Sequence, residues 1–395
     1  MQELSRRNVK FTDSVIRRMT RIAIANNAIN LSQGYPDFNP PKEITERLKA
    51  VADEGPHQYP ITMGPLNFRK ALAKKCGHFM GREIDTEKEM VVTIGSTEAM
   101  LNTIYALTNP GDKIIIFSPY FENYHAQAII ADCESIFVPL IPPTFRFDPE
   151  VLEDAFRQGA KAILICNPSN PSGKVFTKEE LQLIADLCIR YDTYAIVDEV
   201  YEHIIYEGHV HTYMNSLPGM WERTVSCSSL SKTYSITGWR IGYAIAPEHL
   251  MVKIKQYHDF MTVGAPSPLL EAAIAGLEMP DSYYADLQKH YAHMKEIFVG
   301  GMKNLGIPFT DPQGTYFVLA DISPFIKKGQ SDVEFCEKMA KEVGVELTED
   351  EAKEYFAKWH GKKELAEDEL EQVSGGSFMI GDGTYSSDYP HRLIV

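Results

Sequence analysis

From about residue 90 onward, short apolar runs rich in β-branched residues alternate with stretches of helical periodicity. The runs fall at 90–94, 113–117, 135–140, 162–166, 194–197, 224–228 and 242–246, with candidate helices among them at 97–107, 123–131 and 178–190. Because the runs lack strict apolar–polar alternation, both faces of each strand are expected to be covered, the mark of a mostly parallel sheet with helices on either side. The expected architecture is therefore a doubly wound α/β domain. Ligands of such sheets meet the carboxyl ends of the strands, so the polar residues directly after each run are the first candidates for chemistry.

The two ends of the chain read differently. The first fifty residues are helical in pattern until INLSQGYPDFNPP at 29–41, whose glycine and prolines fit an extended loop. Beyond about residue 290 come a helix, a strand-like run at 314–320, a helix at 332–343 and a charged stretch at 348–371. Neither end carries a continuous core of its own, so 1–44 and 291–395 are expected to pair into a smaller α+β domain against a large domain at 45–290. In the charged stretch Ala352, Tyr355, Phe356 and Trp359 recur at i, i+3, i+4 and i+7, one face of a helix that Gly361 would end. An amphipathic helix lying on the small domain is one reading of 348–371, and a lid or a subunit contact is the other.

Composition narrows the class. The 395 residues are 44 % hydrophobic and 24 % charged, too apolar for a disordered chain, and the apolar runs are too short to cross a bilayer. The net charge of −15 argues against nucleic acid or an anionic membrane as the main partner. Six scattered cysteines without C-x-x-C spacing read as reduced, mostly buried thiols. The N-terminal residues hold no apolar stretch of signal-peptide length, which makes the cytoplasm the expected compartment. His209 with His211 and His290 with His293 have spacings that could hold a metal, but no companion ligands accompany them, and exposed histidines are the simpler reading.

Four segments stand where a ligand would be met. Lys232, in SSLSKT, follows the run at 224–228; a nucleophilic lysine needs desolvation or a cationic neighbour, and Arg240 lies eight residues on, although a solvated loop lysine would look similar. Asp198 ends the run at 194–197 with Tyr201 three residues later, either as a helix cap or as a counter-ion for a ligand cation. Asn170 lies in the rigid turn NPSNPSG at 167–173. Ser96 and Thr97, in GSTEA, stand at a strand-to-helix junction that suits a phosphate or a plain cap equally well.

Together, and in this order, GSTEA, NPSNPSG, VDEVY and SLSKTYSITGWRIGY resemble the class I and II aminotransferases, pyridoxal-phosphate enzymes of fold type I. LSQGYPDF and QYPITMGPLNFRKAL extend the resemblance over nearly the whole chain. It implies that pyridoxal 5'-phosphate is carried covalently on Lys232, with Asp198 paired to the pyridine nitrogen and Tyr201 and Asn170 hydrogen-bonded to the phenolic oxygen. It further implies that Ser96, Thr97, Ser229 and Arg240 bind the phosphate, that Phe121 stacks on the ring, and that Tyr59 reaches the phosphate of a neighbouring subunit in a two-fold dimer. Gly34 would lie against the substrate, and Arg392, after the SGGSF segment, would grip its carboxylate. The implied reaction moves an amino group from an α-amino acid to a 2-oxo acid, with no metal.

Two departures accompany the resemblance. The family passes almost directly from the helix at 332–343 to the glycine-serine segment, where this chain inserts 348–371, and the family continues into a closing helix where three residues follow Arg392 here. A rebuilt small domain is expected. A carbon–sulfur β-lyase of the same fold is the nearest rival, but such enzymes usually carry histidine at the position of Tyr201 and lack T-G-W-R. An aspartate-type aminotransferase shares many of the motifs. A pyridoxal-phosphate-binding regulator would add a basic DNA-binding module, and none is evident. Tyr35, Phe38, Tyr59, Phe121 and Tyr124 lean the substrate reading towards large neutral or aromatic amino acids.

Overall fold

The computed structural model describes residues 4–5, 7, 10–11, 14–342, 379–380 and 392–394. Its main sheet holds β1 (Met90–Ile94), β2 (Lys113–Ser118), β3 (Glu134–Pro139), β4 (Ala160–Cys166), β5 (Tyr194–Asp198), β6 (Thr224–Ser229) and β7 (Ile241–Ile245), in the order β1-β7-β6-β5-β4-β2-β3. Strands β2 to β6 pair in parallel, and β7 runs antiparallel between β1 and β6. The expected mostly parallel α/β sheet is present, with one reversed strand.

The helices are α1 (Val15–Ala25), α2 (Lys42–Glu54), α3 (Leu66–Met80), α4 (Gly95–Leu107), α5 (Asn123–Ile130), α6 (Pro149–Arg157), α7 (Lys178–Arg190), α8 (Glu248–Thr262), α9 (Ser267–Leu277), α10 (Asp281–Asn304) and α11 (Asp332–Glu342). Their ends follow local chemistry. Asp148 caps α6 by accepting from the backbone N–H groups of Glu150 and Val151 ahead of Pro149, and Thr177 and Glu180 form a reciprocal capping box on α7.

Alternate residues of each central strand feed two cores. Ile115, Phe117, Ile163, Ile165, Ala195 and Val197 pack on one face with α6 and α7, while Ile114, Ile116, Ala162, Leu164 and Ile196 pack on the other with α4, α5 and α8. This is why the runs show no polar alternation. At about 1.5–3 kcal/mol for each fully buried aliphatic side chain, these two layers dominate the stability of the sheet.

Residues from the two ends of the chain meet in a separate cluster, in which Val15 and Met19 of α1 pack with Met302, Val318, Ala320, Ile322 and Cys336. Beside it, β8 (Leu319–Asp321), β9 (Met379–Ile380) and β10 (Arg392–Ile394) form an antiparallel sheet in the order β8-β10-β9. The strand expected at 314–320 is corrected: Thr315 adopts φ +62°, which turns the chain, and β8 starts only at Leu319. The division at 44/45 falls within α2 and that at 290/291 within α10. The charged stretch 348–371 and the SGGSF segment lie outside the described residues. All six cysteines are buried and unpaired, and among the described residues no helix is long and apolar enough to cross a membrane.

Candidate active site

The sheet order sets β4, β5 and β6 side by side, so their carboxyl ends deliver the NPSNPSG turn, Asp198 and the SLSK segment to one edge. Where β7 starts, Ile241 pairs with Ile94, which brings Arg240 against the start of α4. Gly95 is required there: a Cβ on it would collide with the Arg240 guanidinium, and its φ of +74° suits glycine. Four segments far apart in sequence thus converge by topology alone.

At the centre the Lys232 Nζ donates to the carbonyl of Gly34 at 3.1 Å and stands 5.9 Å from the centre of the Tyr201 ring and 5.6 Å from that of Tyr316. Burial, reinforced by the charge of Arg240 and opposed by that of Asp198, brings its pKa down to about 8. A substantial fraction of this amine is therefore neutral at mildly alkaline pH. Gly34 packs so close that a Cβ would fall 2.5–2.7 Å from the rings of Phe317 and Tyr316.

Asp198 is buried. Its Oδ2 accepts from the Tyr124 hydroxyl at 2.7 Å and its Oδ1 from the backbone N–H of Val200 at 3.3 Å. Burial raises its pKa to about 6, while these donors and Lys232 pull it down. Tyr201 stands edge-on to Tyr316 and Phe317, with ring centres 5.4 and 5.8 Å apart, and burial pushes its phenol up. The Oδ1 of Asn170 is buried with no hydrogen-bond partner, an acceptor held ready for a donor.

The remaining residues surround this centre. Ser229 is buried and accepts from the N–H of Ser231 at 3.3 Å. Ser96 is half-buried and Thr97 exposed in the first turn of α4, and Arg240 is exposed, donating to the Thr237 carbonyl at 3.0 Å. Phe121 is half-buried and edge-on to Tyr124. Tyr59 is 88 % exposed. Arg392 opens β10 opposite Asp321, within the small sheet whose strand β8 follows Tyr316 and Phe317.

Several further residues shape the site. Tyr124, expected only as an aromatic near the substrate, sits in the first turn of α5 and faces Asp198. Phe38, expected among the aromatics near the substrate, packs on His290 and Tyr291 of α10, with ring centres 4.9 and 6.0 Å away. Tyr316, which donates to the Gly34 carbonyl at 3.1 Å, carried no local signal because the turn at Thr315 brings it in. The reading of exposed histidines is corrected for His211, whose side chain is buried with Nε2 3.5 Å from Glu199. Among the described residues no cluster fit for a metal occurs.

Behind Asp198 lies a second buried layer. Glu202 pairs with Lys75 and accepts from the hydroxyls of Tyr213 at 2.6 Å and Tyr243 at 3.3 Å. Burial alone would raise its carboxyl, but Lys75 and His203, through charge and hydrogen bonds together, outweigh that and hold it well below the usual range. The same turn carries Asp198 and Tyr201, so this ion pair anchors the segment that presents both.

The family model for aminotransferases of class I and II matches residues 26–359. Kynurenine–oxoglutarate transaminase 3 of Mus musculus is 37 % identical over 325 residues, 77 % of this chain and 71 % of that protein. An Escherichia coli protein with a methionine aminotransferase function superposes with a TM-score of 0.81 at 30 % identity, over 87 % of this chain and 90 % of its own. N-succinyldiaminopimelate aminotransferase from Mycobacterium tuberculosis gives 0.82 at 30 % identity, over 87 % and 89 %.

Proposed function

The chain belongs to the class I and II aminotransferases, pyridoxal-phosphate-dependent enzymes that move an amino group from an α-amino acid to a 2-oxo acid, and we propose that Lys232 is its catalytic base. The observation that carries this reading is the amine of Lys232, lowered to a pKa of about 8 beside Arg240 and Asp198 at the ends of adjacent strands. The residues present suit the cofactor. Asn170 Oδ1 is an orphaned buried acceptor, Asp198 is a buried carboxylate, and hydroxyls, a helix N-terminus and a guanidinium meet at Gly95.

When bound, pyridoxal phosphate supplies an electron-poor pyridine ring that takes up the electron pair left as the α-proton departs. Each side chain then has a defined task. Ser96, Thr97, Ser229 and Arg240 hold the phosphate, helped by the positive end of α4. Asp198, steadied by Tyr124, keeps the ring nitrogen protonated, since a buried carboxylate favours a cation beside it. Asn170 and Tyr201 orient the phenolic oxygen, and Phe121 covers the ring. Lys232, its amine freed once a substrate amine takes its place on the cofactor, would accept the α-proton at Nζ and give it back two atoms away, across the substrate nitrogen. Arg392 would receive the substrate carboxylate, and Gly34 lets the rings of Tyr316 and Phe317 close in beside the Lys232 amine.

The preferred substrates are large neutral or aromatic amino acids. The rings of Tyr201 and Tyr316 flanking the Lys232 amine support this, as do the kynurenine and methionine activities named for the relatives. The working unit is a two-fold homodimer in the cytoplasm. Tyr59, Ile61, Phe260, Met261 and Val263 are exposed apolar residues on neighbouring segments, tied by a 3.1 Å hydrogen bond from Thr62 to Asp259, and such a face fits a second copy. A panel of amino acids incubated with the holoenzyme tests the reading. Release of the matching 2-oxo acid with the amino group transferred to an acceptor is expected; pyruvate and free ammonia without transfer would establish the β-lyase instead.

A further inference from the structure

His258, in the last turns of α8, is fully buried, and each of its ring nitrogens meets an acceptor. Nδ1 lies 2.6 Å from Glu98 Oε1, and Nε2 lies 2.8 Å from the carbonyl oxygen of Thr62. A carbonyl can only accept. Glu98 is an acceptor as well, because Oε1 also receives Asn102 Nδ2 at 2.9 Å and Oε2 the backbone N–H of Ile94 at 2.5 Å; the Thr262 hydroxyl, 2.8 Å from Oε1, also lies 3.1 Å from Nδ1 and 3.2 Å from the His258 carbonyl, but the shorter Nδ1 contact is the one to the carboxylate. Neither ring nitrogen can then be bare without an unfavourable lone-pair contact, so both carry protons.

The position of this pair gives it consequence. Glu98 follows Ser96 and Thr97 in the first turn of α4, where the proposed phosphate site forms. Thr62 belongs to the segment that carries Tyr59, and the Ser267 hydroxyl fixes the same segment by donating to the Gln58 carbonyl at 2.7 Å. A buried anion beside a phosphate site repels the ligand unless a cation compensates it.

We propose that His258 is a positioning residue, an imidazolium clamped between Glu98 and the Thr62 carbonyl, which cancels the charge of Glu98 next to the phosphate site and fixes the Tyr59 segment. This rests on the cofactor reading above for its consequence, but not for its charge state. The charged groups facing the ring are Glu98 from α4 and Asp259 from α8 itself. Burial lowers the imidazole, and the contacts with Glu98 more than offset it, so the group stays protonated above its ordinary value.

Two measurements on the full-length holoenzyme decide the matter. Nitrogen-15 NMR of labelled histidine is expected to show one imidazole with both nitrogens protonated at pH 7.5, a signal absent from His258→Gln; a neutral tautomer at this position would overturn the proposal. Pyridoxal phosphate affinity is then compared across variants. His258→Gln is expected to weaken binding about tenfold, and Glu98→Gln/His258→Gln, which leaves no unpaired charge, to recover to within about threefold of the wild type. Equal weakening in the single and double variants would mean that His258 acts through packing alone, which also overturns the proposal. A wild-type protein that bound no pyridoxal phosphate would refute the cofactor reading instead, and the imidazole signal would still decide the charge state.

Discussion

At the residue scale the chemistry turns on how burial and neighbouring charge set two groups against each other. Lys232 is brought down to about 8 and Asp198 up to about 6, so between these values Asp198 is ionised while Lys232 exchanges its proton readily. In the cofactor-free protein Asp198, raised above its unfolded value, contributes stability that is full below about pH 4 and is lost as pH rises through about 6. Tyr124→Phe removes the 2.7 Å hydrogen bond to Asp198. A lost bond to a charged acceptor costs about 1.5–3 kcal/mol, so kcat is expected to fall about tenfold or more, with the acid limb of the pH–rate profile moved to higher pH. Unchanged pH dependence in Tyr124→Phe would detach Tyr124 from the role of Asp198. Ser96, Asn170, Asp198, Ser229 and Lys232 were legible because they stand at or just past the ends of apolar runs, whereas Arg240 and the more distant residues rested on the family resemblance. Tyr316 was not, because nothing local to G-T-Y-F announces a turn at Thr315 that sends the next side chain to Lys232.

At the scale of elements, the seven strands from residue 90 to 246 and the helices at 97–107, 123–131 and 178–190 were readable to within a residue or two, since two-sided burial leaves a clear run of apolar residues, whereas α6 and α8 were not read. The strand expected at 314–320 is shorter for the complementary reason: Tyr316 and Phe317 line the site, and only Leu319 onward joins a ladder. The turn after β5 depends on the buried Lys75–Glu202 pair. Lys75→Met strands a buried carboxylate and is expected to cost about 3–5 kcal/mol, seen as a lowered midpoint in urea unfolding. A shift below about 1 kcal/mol would mean that water or relaxation already compensates Glu202. The His258–Glu98 pair makes a second prediction about elements. His258, raised, contributes stability that is full below its unfolded value of about 6.5 and is lost as pH rises through its folded one; Glu98, lowered, contributes stability present above about 4.3 and lost as pH falls through its folded value. The stability–pH curve of Glu98→Gln/His258→Gln should therefore be flatter on both flanks, and a curve parallel to the wild type would show that the pair does not couple α4 to α8.

At the scale of the molecule, the net charge of −15 said nothing about a site that gathers Lys232, Arg240 and the positive end of α4, because local cations matter there and the acidic surface does not. The exposed apolar residues around Tyr59 predict a dimer whose activity falls on dilution, together with a Tyr59→Ala variant that loses cofactor more readily; a monomer of full activity in sedimentation analysis would contradict that assembly. The central claim concerns the attachment of the cofactor to one lysine among many. Borohydride reduction of the holoenzyme, digestion and mass analysis should place the pyridoxyl group on the peptide containing Lys232, with amino-group transfer abolished in the reduced enzyme. A pyridoxyl group on any other lysine, or full activity in Lys232→Ala, would contradict it.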